Sequence, residues 1–192
     1  MKTFCDLSSN NSRAQRQQAI AETDGVIIKA TEGSSYVNPY MTECYGLARA
    51  NNKMIGFYHY ARPEKNQQPI VEVLHFISIV YPFIGKCPMF LDWEGKAVNC
   101  SQQWARDFLD LFYQITGVRM CIYCSESVCK KVGPYVAGGN YGLWVAKYSR
   151  IRPNIAPWRV KLLWQFTSRP YDKSIMYGDE TTWEAYAKRV GG

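Results

Sequence analysis

The sequence predicts an α/β fold in which a mostly parallel sheet closes into an irregular barrel. Two patterns lead to this prediction. Short apolar segments alternate five times with segments whose apolar residues recur at helical spacing, which is typical of βα units in a parallel sheet. About three further strand-like segments then follow with only loops between them. The chain has 192 residues, fewer than the roughly 250 of a complete (β/α)8 barrel, which agrees with an incomplete ring of helices.

Local signals mark the ends of the predicted helices. Ser12 followed by Gln15 has the spacing of a capping box at the start of the first helix. Asn38-Pro39 offers a cap and a first-turn proline to the second helix, and Gly117 ends the fourth. The strands that precede the five helices are predicted at residues 2–7, 26–30, 54–60, 89–95 and 118–124.

The pattern changes after Gly133, the end of the fifth helix. Strands are predicted at residues 143–147, 160–166 and 175–177, joined by loops that contain Pro and Gly, and a short helix follows the last strand. No linker composition interrupts the chain, so we predict a single domain over residues 1–192. The predicted fold is therefore an irregular TIM-like barrel, (β/α)5 followed by about three strands with few helices.

Composition limits the classes of function. Hydrophobic residues make up 47% of the chain and aromatic residues 15%, which excludes a disordered protein. The net charge of +7 is spread along the chain, which suits an anionic polymer or surface as partner. The seven cysteines show no paired metal-binding spacing and are predicted to be reduced. No segment has the length of a membrane helix or the pattern of a secretory signal, so we expect no stable membrane insertion and synthesis in the cytoplasm.

The stretch MFLDWEG, residues 89–95, carries the strongest chemical signal. Asp92 and Glu94 are two positions apart in a predicted strand, so their side chains share a face roughly 7 Å apart while Trp93 points the other way. Burial and mutual repulsion would raise the pKa of at least one carboxyl group, as a general acid requires. On spacing alone, a strand end whose carboxylates face water stays an open alternative.

Other polar residues fall at the carboxyl ends of the predicted strands, where barrels of this kind collect their chemistry. These residues are Asp6, Lys29, Glu32, Tyr58, Tyr60, Tyr123 and Gln165. Their convergence at one edge of the sheet favours the catalytic interpretation of Asp92 and Glu94.

Taken together, these motifs resemble those of the glycoside hydrolase family 25 lysozymes. The resemblance lies in the order and spacing of FCDLSS, VIIKATEGSSYVNP, GFYHYARP, LDWEG, IYCS, LWVAKYS and WQFTS, each of which is weak alone. It implies a peptidoglycan hydrolase that cleaves β-1,4 bonds between N-acetylmuramic acid and N-acetylglucosamine, with bacterial peptidoglycan as partner and with no cofactor and no metal.

The resemblance also implies roles for four carboxylates. Glu94 matches the general acid, and Asp92 matches a companion that assists the substrate acetamide or stabilises positive charge on the sugar. Asp6 matches an aspartate at the end of the first strand. For a late aspartate Asp179 is preferred over its rival Asp172, because Trp183 then takes the place of a family aromatic four positions on.

The binding residues that we expect are Lys29, Glu32, Tyr36, Tyr58, Tyr60, Tyr123, Trp144, Tyr148 and Gln165. Lys29 could instead only neutralise the carboxylates, and Trp144 could be a core residue. His59 is expected in the barrel wall, and His75 is expected to be a hydrogen-bonded core histidine rather than a catalyst.

Two rival hypotheses stay open beside the hydrolase. One is a catalytically silent glycan-binding or assembly module of the same fold. The other is a nucleic-acid-binding protein, which only the charge and the aromatic content suggest, so we expect no nucleic acid as partner. The hydrolase would be a monomeric phage-type lysin that acts on the cell wall after release, or a lytic part of a larger phage particle.

Overall fold

A computed structural model describes residues 1–190 of the protein. In that part of the chain nine strands and six α-helices follow one another. The strands are β1 (Thr3–Leu7), β2 (Gly25–Glu32), β3 (Tyr36–Val37), β4 (Met54–Tyr60), β5 (Met89–Asp92), β6 (Cys121–Ser125), β7 (Gly142–Ala146), β8 (Leu163–Thr167) and β9 (Lys173–Met176). The helices are α1 (Arg13–Glu22), α2 (Met41–Ala50), α3 (Pro69–Val80), α4 (Gln102–Thr116), α5 (Glu126–Val136) and α6 (Glu180–Ala187).

Eight of these strands close into a barrel. Strands β1, β2, β4, β5, β6, β7 and β8 pair in that order and all run parallel. Strand β9 lies between β8 and β1 and is antiparallel to both. The first five barrel strands are each followed by a helix, and β7, β8 and β9 are not joined by helices. This arrangement confirms the predicted irregular TIM-like barrel.

The element bounds differ from the predicted ones at several places. Strand β5 ends at Asp92 rather than at residue 95, β9 spans Lys173–Met176 rather than 175–177, and α5 continues past Gly133 to Val136. Helix α2 begins at Met41 with Tyr40 at its N-cap position, so the predicted cap and first-turn proline, Asn38-Pro39, lie before the helix. Strand β6 begins at Cys121 because Val118 forms only an isolated bridge with Arg189. Strand β8 begins at Leu163, and Val160 before it is 70% exposed. Strand β3 was not predicted, because two exposed residues give no hydrophobic pattern; it pairs with β2 outside the ring.

Apolar side chains form one layer inside the barrel and a second layer between the barrel and the helices. Successive side chains of a strand point to opposite faces. One set, which includes Phe4, Phe90 and Trp144, packs together inside the ring. The alternating set, which includes Phe57 and Leu91, packs against the helices outside it. Both faces of the central strands are therefore buried, which explains their continuous apolar sequence.

Helix α6 covers the amino-terminal end of the barrel. Its Trp183 ring lies 4.5 Å from the ring of Phe4 and 6.0 Å from that of Phe90, between centroids. Gly56 makes room for this arrangement, since a Cβ there would lie 2.9 Å from the Phe90 ring and 3.2 Å from Trp183. With this end filled by apolar side chains, polar side chains can enter the barrel only from the carboxyl ends of the parallel strands.

Two further expectations concern membranes and thiols. Among residues 1–190 no helix has both the length and the apolar character needed to cross a membrane. All seven cysteines are free, and five of them lie at most 1% exposed in the core: Cys5, Cys44, Cys121, Cys124 and Cys129. Their thiols fill space between strands and helices, as small apolar side chains do.

Candidate active site

A polar cavity of about 180 Å³ lies at the carboxyl ends of the parallel strands. Four carboxyl groups converge on it, together with amide, hydroxyl and aromatic side chains. Its lining consists of Asp6, Ser8, Asn10, Asn11, Tyr58, Asp92, Glu94, Tyr123, Trp144, Tyr148, Gln165 and Asp172. The chemistry-bearing residues predicted at strand ends are therefore largely brought together in one place.

Asp92 and Glu94 face this cavity from the end of β5. Between them, the Trp93 backbone N–H donates to the carbonyl oxygen of Tyr123 at 2.9 Å, which extends the strand pairing past Asp92. The Trp93 side chain is fully buried on the other side, and its Nε1 donates to Oε1 of Gln102 at 2.9 Å. The alternation of side chains thus places both carboxyl groups on one face and the indole in the core.

The chain turns away from the cavity directly after Glu94. Gly95 has a φ of +58°, in the left-handed region that favours glycine. A Cβ at this position would also lie 2.5 Å from the Tyr60 hydroxyl oxygen. Glycine is therefore required here for both the backbone turn and the close approach of Tyr60.

The electrostatic environment favours protonated carboxyl groups. Asp92 is 7% exposed, and its Oδ1 has no hydrogen-bond partner within the described part of the chain. Burial first, and then the charge of Glu94, raise the pKa of Asp92 well above its ordinary value, while the Lys29 ammonium opposes the rise. Burial and the charge of Asp172 likewise raise the pKa of Glu94, again opposed by Lys29.

Asp6 and Asp172 form the second half of the carboxylate cluster. Strand β9 pairs antiparallel with β1 so that Lys173 lies opposite Cys5, which places Asp172 beside Asp6. Burial and the charge of Asp172 raise the pKa of Asp6, whereas a hydrogen bond from Gln165 Nε2, 2.9 Å long, lowers it. Burial also raises the pKa of Asp172, against the effect of the Tyr148 hydroxyl.

The prediction that Asp179 rather than Asp172 joins the other carboxyl groups is wrong. Asp172 lines the cavity, and Asp179 lies outside it. Strand β9 runs away from the cavity, and Asp179 follows its far end. There the side chain caps α6, with Oδ1 accepting from the Thr182 backbone N–H at 2.9 Å. This hydrogen bond lowers the pKa of Asp179, as in an ordinary helix cap. The direction of β9, which the sequence pattern does not reveal, decides between the two aspartates.

Gln165 connects the aromatic wall to the carboxylates. Its Oε1 accepts hydrogen bonds from the hydroxyl groups of Tyr123, at 2.9 Å, and Tyr148, at 3.0 Å. Because both donors fix the amide oxygen, its Nε2 is directed at Asp6. Gln165 is only 2% exposed, so this is a positioned network rather than a surface contact.

The predicted aromatic residues differ in their availability to a ligand. Tyr58, Tyr123 and Trp144 are at most 8% exposed and form the wall of the cavity. The Trp144 indole donates to Ser174 Oγ at 3.0 Å and packs edge-on to Tyr123. Tyr148 is 59% exposed, so its ring can provide a face for stacking.

Four predicted binding residues lie beside the cavity but do not line it. Lys29 Nζ contacts Glu32 Oε2 at 2.6 Å and lies 4.7 Å from the centre of the Tyr60 ring and 5.4 Å from that of Tyr36. Arg62, which the sequence analysis did not single out, donates from Nε to Glu32 Oε1 at 2.6 Å. Lys29 is 8% exposed, so it acts on the neighbouring carboxyl groups mainly through its charge.

Three residues that were not predicted from the sequence line the cavity from the loop after β1: Ser8, Asn10 and Asn11. In this loop the Asn11 side-chain oxygen accepts from the Ser8 backbone N–H at 2.9 Å. The sequence feature that could have indicated these residues is the polar run SSNN after a predicted strand. Ordinary turns have the same composition, so this run does not distinguish a binding loop from a turn.

Neither histidine takes part in the cavity. His59 is fully buried between β4 and the helices, where its ring nitrogens contact Thr31 Oγ1 at 2.7 Å and Glu72 Oε2 at 2.8 Å. Burial lowers its pKa. His75 is half-buried rather than in the core, and its Nε2 contacts the Tyr36 carbonyl oxygen at 3.0 Å. No group of three or more His, Cys, Asp or Glu side chains among residues 1–190 is arranged to hold a metal ion.

Known proteins are similar to this chain in sequence and in fold. The model of the family described as Glycosyl hydrolases family 25 matches residues 5–175. An autolytic lysozyme of Clostridium acetobutylicum is 30% identical over 134 residues, which are 68% of this chain. The match spans only 40% of the length of that lysozyme.

Two solved structures illustrate the similarity of fold. A muramidase from Trichobolus zukalii has a TM-score of 0.82 at 23% identity, over 98% of this chain and 99% of the other. The catalytic domain of endolysin ply40 from bacteriophage P40 of Listeria monocytogenes has a TM-score of 0.73 at 21% identity, over 97% and 98%. Since the family model covers nearly all of the barrel that carries the cavity, the chain belongs to glycosyl hydrolase family 25.

Proposed function

We propose that the protein is a muramidase that hydrolyses the β-1,4 bonds of peptidoglycan between N-acetylmuramic acid and N-acetylglucosamine. The observation that carries this proposal is the convergence of Asp92 and Glu94 on one polar cavity with Asp6 and Asp172. Burial raises the pKa values of all four carboxyl groups, and charge repulsion adds to the rise for Asp6, Asp92 and Glu94, which favours retention of a proton that a general acid can donate. Family membership and the lysozyme relative support the same reaction.

Glu94 is the proposed general acid. It is less buried than Asp92 and sits where the chain leaves the strand, so its carboxyl group can reach a bound glycan. Its proton would pass to the glycosidic oxygen as the bond from that oxygen to the anomeric carbon breaks. Water finally supplies the hydroxyl group on the anomeric carbon and returns a proton to the site.

Asp92 and its neighbours would stabilise the positive charge that develops on the sugar. Positive charge on a sugar ring next to Asp92 would favour the ionised form of its carboxyl group. The Lys29 ammonium acts the same way, because it lowers the pKa of Asp92. Asp6, oriented by Gln165, and Asp172 would hold the sugar from the opposite wall. In this proposal Asp172 replaces Asp179, and Tyr148 supplies the exposed aromatic face for a sugar ring.

Product analysis tests the reaction. The protein is incubated with purified peptidoglycan, and the released ends are reduced with borohydride and identified by mass spectrometry. We expect reduced N-acetylmuramic acid at the new ends. Reduced N-acetylglucosamine would contradict the proposed bond, and binding to the wall without any new ends would favour a silent glycan-binding module.

The biological setting forms a further part of the proposal. The similarity in fold to a phage endolysin domain supports a lysin that attacks the bacterial wall from a phage-infected cell or as part of a phage particle. We also propose that residues 1–192 act as one catalytic domain and as a monomer. Gel filtration with light scattering, together with lysis assays on intact cells, would test these two points.

A further inference from the structure

A second cleft lies at the opposite end of the barrel from the carboxylate cavity. It has a volume of about 550 Å³ and is bordered by the segments that precede β6, β7 and β8 and by the end of α6. Because these segments enter the amino-terminal ends of parallel strands, the cleft is separated from the candidate active site by the filled interior of the barrel. It therefore cannot be an extension of that site.

The charge of this cleft is one-sided. Its lining contains three cationic side chains, Arg119, Arg159 and Lys188, and no aspartate or glutamate. None of the three lies within 4.0 Å of a carboxylate oxygen in the part of the chain that the structure describes. Unpaired like charges in one concave site raise the local concentration of anions.

Arg119 is held at the inner part of the cleft. One of its terminal nitrogens donates to the Gly139 carbonyl oxygen at 2.8 Å, and its guanidinium lies 4.1 Å from the centre of the Tyr113 ring. Arg159 and Lys188 are exposed and stand on two different segments at the border. One positioned and two exposed cations can pair with successive negative charges along an extended chain.

None of the three aromatic residues of the cleft offers an open ring for stacking: Tyr141 and Trp158 are buried, and Tyr186 is half-buried and packs against the apolar barrel interior. Tyr141 is 3% exposed and its hydroxyl donates to Asp110, while Trp158 is 8% exposed and its Nε1 donates to the Tyr141 carbonyl oxygen at 3.2 Å. Proteins that bind single-stranded nucleic acids stack bases on open aromatic faces. The cleft instead offers cations beside smooth apolar walls such as Pro157 and Val160, which suits a phosphate-bearing chain without bases.

We propose that this basic cleft binds an anionic phosphodiester polymer of polyol units, of the kind attached to bacterial walls. The wall context rests on the proposed function, whereas the binding itself follows from the cleft. Its role would be to hold the protein on the wall while the carboxylate cavity, at the other end of the barrel, stays free for the glycan.

The test compares two charge-matched double variants. Arg159→Gln with Lys188→Gln removes two cations from the cleft, and Lys130→Gln with Lys131→Gln removes two exposed cations from α5, outside it. Binding to poly(glycerol phosphate) is measured by fluorescence titration at low and high salt. We expect the cleft variant to lose affinity roughly ten- to thirty-fold at low salt, as two charges near a polyanion imply, and the control to lose less than about threefold.

Several results would overturn the assignment. Equal losses of affinity in the two variants would mean that the net charge of the whole surface, and not the cleft, binds the polymer. Absence of binding by the wild-type protein would show that a phosphodiester polymer is not its ligand. Tighter binding of oligothymidylate, with the same dependence on Arg159 and Lys188, would assign the cleft to nucleic acid. Matching thermal unfolding of both variants shows that they fold.

A parallel assay separates this inference from the proposed function. Peptidoglycan stripped of phosphodiester polymers is digested by all three proteins, and we expect equal rates, because the cleft lies far from the carboxylates. Failure of the wild type to digest this substrate would contradict the muramidase proposal while leaving the polymer-binding result intact. A selective loss of digestion in the cleft variant would show that the cleft serves the glycan and would overturn the inference.

Discussion

Individual carboxyl groups in the cavity influence one another through charge. Asp172 raises the pKa values of both Asp6 and Glu94, and Lys29 acts in the opposite direction on Glu94. The protonation state of the proposed acid is therefore set by a balance of neighbours and not by Glu94 alone. Changing one neighbour should shift the pH range in which the enzyme works.

Asp172→Asn should move the alkaline limit of activity to lower pH. Removing the negative charge of Asp172 removes a cause that raises the pKa of Glu94, so Glu94 loses its proton at a lower pH. The pH profile of kcat/KM on soluble glycan fragments measures this limit. Asp179→Asn is the matched control, because Asn also caps helices and Asp179 is far from the cavity. A limit that stays in place in Asp172→Asn would contradict the electrostatic account.

At the scale of elements, the contact of α6 with the barrel depends on the absence of a side chain at Gly56. Strand β4 brings this glycine against the Phe90 ring and the Pro88 carbonyl oxygen, with Trp183 of α6 on the same side. Helix α6 can cover the amino-terminal end of the barrel because Gly56 has no side chain that would collide with Trp183 or Phe90. The same close fit makes the position sensitive to any added volume.

Gly56→Ala should destabilise the fold by about 1–3 kcal/mol, the usual cost of overpacking a filled core. A Cβ would lie 2.9 Å from the Phe90 ring and 3.2 Å from Trp183, so one of them must move. Gly46→Ala in α2 is the control: its Cβ would meet nothing within 4 Å, and the change should stabilise the helix by roughly 0.5–1 kcal/mol. Urea unfolding measures both, and equal stabilities would contradict this packing account.

At the scale of the whole molecule, some features follow from the sequence and others depend on long-range arrangement. The barrel and the shared face of Asp92 and Glu94 were predictable, because strand periodicity and βα alternation are local patterns. Asp172 could not be separated from Asp179, because that choice depends on the direction of β9 relative to β1. The loop of Asn10 and Asn11 could not be placed either, because its polar sequence fits any turn.

The buried carboxyl cluster should make the folded protein less stable as the pH rises. A group whose pKa is higher in the folded state binds its proton more tightly there, so its contribution to stability is full below the unfolded pKa, near 4. That contribution is lost as the pH rises through the window up to the raised folded pKa of Asp92. The cavity is thus maintained at a cost in stability near neutral pH.

Asp92→Asn should therefore be more stable than the wild type at pH 7, by on the order of 1 kcal/mol. The difference should shrink as the pH falls through about 4, since below that pH the wild-type carboxyl group is protonated in both the folded and the unfolded state. Free energies of unfolding from urea titrations at several pH values measure this difference. A difference that is independent of pH, or a less stable variant at pH 7, would contradict the raised pKa.

The central claim, that Glu94 is the acid of a wall-degrading enzyme, is tested most directly by the rate at which Glu94→Gln releases reducing ends from purified peptidoglycan. Gln has nearly the same shape but no proton to donate, so we predict a loss of about 10²–10⁴-fold in kcat, with cooperative thermal unfolding retained and with Asp179→Asn as active as the wild type. Glu94→Gln working at close to the wild-type rate would contradict the account.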